Sequence, residues 1–140
     1  MRQGSCSCGQ VTYVARGEPI VTAHCHCRDC QRITGTAHST GAMFAVGDVT
    51  LTGKTAEFEL PGITGATVTR TFCPTCGSPL FGKNTKMPGF ITLSLGTFDD
   101  LESFTPQVAI FARSKPTWDA VDPSVQSFET QPAWSPGDGV

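Results

Sequence analysis

Cys73-Pro74-Thr75-Cys76-Gly77 is the stretch on which the fold turns. Two cysteines two residues apart, with a proline early in the turn and a glycine closing it, form a knuckle whose thiolates can converge on one metal ion. The glycine accepts positive φ and lets backbone N–H groups approach the sulfurs. A second knuckle, Cys6-Ser7-Cys8-Gly9, stands near the start of the sequence, and a triplet, Cys25-His26-Cys27-Arg28-Asp29-Cys30, lies between the two. Together these clusters contain every cysteine of the 140-residue chain.

Seven cysteines cannot all pair into disulfides, nor can they complete two four-cysteine sites. Four plus three is the natural partition. Cys6, Cys8, Cys73 and Cys76 are assigned to a closed zinc site that clips the first strand to a distant hairpin, because two turn-borne pairs complete one tetrahedron. Cys25, Cys27 and Cys30 then supply three thiolates and leave a fourth position for water, substrate or a histidine. Other readings stay open. His24, His26 or His38 could close the second site, two of the triplet thiols could form a redox switch, and four thiolates also suit iron.

Short runs bounded by Gly, Pro or Asp predict strands over Val11–Ala15, Ile20–His24, Ala42–Val46, Ala56–Leu60, Ala66–Phe72, Phe90–Leu95 and Val108–Ala112. Alternation is clearest where Ile91, Leu93 and Leu95 share one face, while Arg70 interrupts the face of Val68 and Phe72. One short helical turn is predicted over Arg28–Ile33. Fifteen glycines and ten prolines, spread along the chain, suit many turns. The expected fold is mainly β, a small zinc-stapled sandwich or open barrel of short antiparallel strands. Residues 1–130 are read as one domain and 131–140 as a tail, with Trp118, Phe128 and Trp134 anchoring the last segment. Met43, Phe44, Phe81, Phe90 and Phe111 are read as core, and no hydrophobic wall beside the open site is indicated.

A net charge of −2 provides no basic footprint, so nucleic acid is not the expected partner. No stretch reaches the roughly 18 apolar residues of a membrane span, and Met1 to Gln10 is too polar for a signal-peptide core. A cytoplasmic protein with reduced thiols and no membrane partner is expected.

The ordered set GSCSCGQVTY, HCHCRDCQRITG and FCPTCGSPLF, continued by SLGTFDD and FARSKPTWDAVDPSVQSFE, resembles the glutathione-dependent formaldehyde-activating enzyme (Gfa) family, also called the centromere-protein-V-like domain. The resemblance implies a Gfa-like β fold, a structural zinc on Cys6, Cys8, Cys73 and Cys76, and a catalytic zinc on Cys25, Cys27 and Cys30. It also implies a carbon–sulfur lyase acting on the adduct of glutathione and formaldehyde. Within that reading the catalytic set is Cys25, Cys27, Cys30 and His26, with His24 a second proton carrier and His38 a weaker one. Arg28 and Arg32, or Arg70 and Lys83, could bind the carboxylates of glutathione or another small thiol. A non-catalytic zinc scaffold and a thiol redox or metal-handling protein are the competing functions.

Overall fold

Side chains alternate between the two faces of a strand, so a run such as Phe90-Ile91-Thr92-Leu93-Ser94 must divide itself between two environments. A computed structural model of the chain, which describes residues 1–62 and 65–132, shows what those environments are. Its elements in order are β1 (Arg2–Ser5), β2 (Thr12–Ala15), β3 (Val21–Cys25), α1 (Arg28–Thr34), β4 (Ser39–Ala45) and β5 (Val49–Thr52). There follow β6 (Ala56–Pro61), β7 (Thr67–Phe72), β8 (Pro79–Asn84), β9 (Phe90–Ser94), β10 (Val108–Ile110) and β11 (Gln126–Ser127).

Two sheets result, and neither closes into a barrel. The smaller has the order β1-β2-β5, the larger β11-β10-β3-β4-β9-β8-β7-β6. Pairing is antiparallel except at one edge, where β10 runs parallel to both β3 and β11. That exception departs from the all-antiparallel expectation. It arises because the chain returns to β3 only after traversing the rest of the sheet, and a parallel pair requires such a long crossover.

The small sheet covers one face of the large one. Ala42 and Phe44 on β4 stand opposite Leu93 and Ile91 on β9 and pack with Tyr13, Ala15, Phe98 and Phe104 into the main core. Tyr13 crosses close over β1, and its hydroxyl bonds the Thr97 hydroxyl at 2.6 Å. Gly4 makes that crossing feasible, since a Cβ there would lie 2.3 Å from the tyrosine ring. Met43 and Phe90, read from the sequence as core, point the other way and line a cavity on the opposite face. The register explains this, because each is one residue out of step with Phe44 and Ile91.

Trp118 is 72% exposed and anchors nothing, contrary to the reading of the last segment. Phe128 does anchor, through its backbone N–H on the Ala109 carbonyl at 2.8 Å and its ring in the cavity wall. Trp134 and most of the 131–140 tail lie outside the described residues. No helix among those residues is long and apolar enough to cross a membrane.

Candidate functional site

The triplet is assembled where a strand ends and a helix begins. Cys25 closes β3, paired with Ser39 on β4 and Ile110 on β10. Cys27 is the N-cap of α1, its sulfur accepting the Cys30 N–H at 3.3 Å, which places Cys30 in the first turn beside it. Gly35 ends the helix in the left-handed conformation, φ 76°, with its N–H on the Gln31 carbonyl. The three sulfurs consequently lie within 4.8 Å of one another, and no fourth described cysteine, histidine or carboxylate joins them.

Arg70 comes to this cluster from the other half of the sheet. It stands on β7 opposite Gly82 of β8, and its Nη2 donates to the Cys30 sulfur at 3.6 Å. Its Nε is buried and unpaired among the described residues. The Cys30 thiol is held well below the ordinary range by hydrogen bonds from Cys25 and Cys27; Ser39 and Arg70 add to this, while burial opposes it. Cys25 is pushed up by its neighbours Cys27 and Cys30 and by burial.

Above the three sulfurs opens a cavity of about 500 Å³. Among the described residues its charged lining is Asp29, Arg70 and Lys83, and its walls are mainly apolar, with Val21, Met43, Val68, Phe90, Ile110 and Phe128 among them.

The second cysteine group sits away from this cavity. Cys6 and Cys8 lie in the turn after β1, Cys73 and Cys76 in the turn after β7, and all four sulfurs fall within 4.8 Å. Cys6 Sγ is 3.6 Å from Cys8 Sγ, and Cys8 Sγ is 3.8 Å from Cys73 Sγ. A tetrahedron of zinc–sulfur bonds of about 2.3 Å has edges of about 3.8 Å, so the donors are already spaced for that ion. Gly9 (φ 79°) and Gly77 (φ 77°) close the two turns in the conformation that a side chain would strain. Ser7 N–H to Ser78 Oγ (2.9 Å) and Thr75 Oγ1 to Gln10 Oε1 (2.9 Å) tie the knuckles together. The Ser78 hydroxyl and N–H bring the Cys76 thiol down to about 5. Both cysteine groups could hold zinc.

The family model described as glutathione-dependent formaldehyde-activating enzyme matches residues 1–114. The chain belongs to this family. A crystal structure of a Rhodobacter sphaeroides protein is similar to it, at 21% identity and a TM-score of 0.56, over 74% of this chain and 91% of that one. That likeness shows the fold. No curated protein matches the chain.

In this Gfa-family chain the remaining polar residues of the sequence reading fall in unequal places. His26 is fully buried behind the sulfurs, outside the cavity lining. Its Nε2 lies 2.9 Å from Asp119 Oδ2, and its Nδ1 has no partner among the described residues. The tautomer with the proton on Nε2 leaves no buried N–H orphaned. His38 Nδ1 meets the same Asp119 oxygen at 2.9 Å, so one carboxylate holds the triplet loop and the entry to β4 together. His24 bonds Thr40 Oγ1 at 2.7 Å, and burial, followed by His38 and His26 close by, pushes its imidazole down. Arg28 and Arg32 are exposed on α1 and absent from the cavity lining, and Arg28 is engaged by the Gln31 side chain. Arg70 and Lys83 are in that lining. Asp119, Ser39 and Asp29 escaped the sequence reading. Asp119 lies in KPTWDAVDP, beyond the residues of the family match, inside the late segment that carries the resemblance but with no spacing to the cysteines that marks it as a partner of His26.

Proposed function

We propose that this chain is a zinc-dependent carbon–sulfur lyase that adds a thiol such as glutathione reversibly to a small aldehyde, a reaction resembling that of an S-(hydroxymethyl)glutathione synthase. One observation carries the reading: three convergent thiols, with no fourth donor among the described residues, form the floor of a cavity beside a partly unpaired guanidinium. A second closed site has no use for a cavity. A zinc ion held by Cys25, Cys27 and Cys30 would supply the Lewis acidity that favours the thiolate form of an entering thiol.

The chain's own residues do the rest. As the sulfur bonds to the carbonyl carbon, negative charge grows on the carbonyl oxygen, and Arg70, in the cavity lining beside Cys30, is the cation near enough to stabilise it. The thiol's proton ends on the oxygen; in reverse the carbon–sulfur bond breaks and the aldehyde leaves. Lys83 offers a cation to a substrate carboxylate. His26 acts as a positioning residue, holding the triplet loop through Asp119. Cys6, Cys8, Cys73 and Cys76 serve as the structural clip. Seven free thiols suit a reducing compartment such as the cytoplasm, where glutathione is abundant.

The deciding experiment is Cys27→Ser with metal analysis and turnover side by side. The variant is expected to lose about half the bound zinc and all thiol-dependent activity while its circular dichroism is unchanged. Activity that persists without that metal would end the reading.

A further inference from the structure

The large sheet carries apolar residues on both faces, yet among the described residues only one face is covered by protein. An antiparallel sheet with one wet face alternates apolar and polar residues along each strand. Here the core face carries Ala42, Phe44, Ile91 and Leu93, while the opposite face carries Val21, Met43, Val68, Phe90, Val108 and Ile110. That second face forms the wall of the cavity above Cys25, Cys27 and Cys30, and its volume, about 500 Å³, is that of a small-molecule pocket. A one-carbon aldehyde has no apolar surface to place against it. A glutathione backbone of amides and carboxylates has little. Among the described lining residues only Arg70 and Lys83 offer cations to such a ligand, and Arg70 is turned toward the sulfurs.

We propose that the wall receives the carbon body of the aldehyde, so that the substrate is the thiol adduct of an aliphatic or aromatic aldehyde rather than of formaldehyde. This rests on the thiol-addition reading above and specifies its carbonyl partner. The sulfur of the thiol sits over the triplet, the carbonyl oxygen faces Arg70, and the substituent lies along Met43, Val68 and Phe90. The step needs no oxidant or reductant: one carbon–sulfur bond forms and the thiol proton moves to the carbonyl oxygen.

The test is hemithioacetal exchange between glutathione and formaldehyde, hexanal or benzaldehyde, followed by saturation-transfer NMR on the zinc-loaded protein. Each rate is divided by its uncatalysed value, because formaldehyde is intrinsically the more reactive electrophile. Hexanal and benzaldehyde are expected to show at least about a tenfold larger acceleration than formaldehyde, the discrimination that one well-packed methylene can supply. Met43→Gln, which conserves size but wets the wall, is expected to cut the hexanal acceleration severalfold at unaltered zinc content and melting temperature. Equal or greater acceleration of formaldehyde overturns this inference and leaves thiol addition standing. Acceleration of none of them overturns both. A dimer that Met43→Gln dissociates assigns the wall to a second copy of the chain and overturns the inference as well.

Discussion

Arg70 reaches the triplet from the far half of the large sheet. Zinc bound by three thiolates carries one net negative charge, which weakens it as a Lewis acid and repels a further anion. Arg70, 3.6 Å from Cys30 through Nη2, is the cation placed to offset that charge. It also belongs to the cavity lining, which places its guanidinium beside the oxygen that develops charge during the reaction. Arg70→Ala is therefore expected to lower kcat by about a hundredfold, the usual cost of losing one oxyanion donor. Arg70→Lys should recover part of kcat, because the charge survives while the planar fork does not. Steady-state kinetics at equal zinc loading check both. The residue was visible in the sequence as the break in the Val68 and Phe72 alternation, although not as part of the reacting centre. Its contact with Cys30 depends on the order of strands in the sheet, which no local pattern encodes.

At the scale of elements, the segment after β10 is held to the triplet loop chiefly by side chains. Asp119 meets His26 on the loop between β3 and α1 and His38 at the entry to β4. Gln31 of α1 adds bonds to the carbonyls of Ala37 and Ser114, both at 3.0 Å. Burial works against ionisation of Asp119, but the hydrogen bonds from His38 and His26 outweigh it and hold the carboxyl below its ordinary range. A carboxyl depressed in the folded state stabilises the protein above its unfolded value and loses that contribution as pH falls through the folded one. Asp119→Asn is accordingly expected to cost on the order of 1–2 kcal/mol at neutral pH. The gap in unfolding free energy between variant and wild type should shrink as pH drops below about 4. Urea titrations across that range measure it, and any zinc effect common to both proteins cancels in the difference. The latch was hidden because it joins residues 81 and 93 positions apart through one aspartate in a segment without periodicity. β1 and β8 were hidden for a different reason: Arg2-Gln3-Gly4-Ser5 has no apolar alternation, and Pro79 with Gly82 makes β8 read as a turn. Sheet pairing overrides both signals.

For the whole molecule, the cysteine partition was legible because it depends on count and spacing, and the knuckles converge as those predict. The two-faced large sheet was not legible. Met43 and Phe44 look alike in a list of apolar residues, and only the register of β4 against β9 sends one to the cavity and the other to the core. The two cysteine groups are separated physically as well. Cys6 and Cys73 are 3% and 0% exposed and pack with Val11 and Leu80, so the clip joins turns 65 residues apart inside a hydrophobic cluster. The triplet faces a cavity that a small chelator can enter. Graded chelation of the zinc-loaded protein should therefore proceed in two stages. Activity should disappear first, with circular dichroism unchanged, as metal leaves Cys25, Cys27 and Cys30. The fold should follow only when the clip is emptied, since a structural zinc contributes folding free energy directly. Cys73→Ser should move the unfolding stage to lower chelator concentration and leave the metal occupancy of the triplet intact. Activity, metal content and ellipticity read along one titration decide the matter: loss of all three in a single step would mean that both zincs belong to one cooperative unit, and that the open centre is as structural as the closed one.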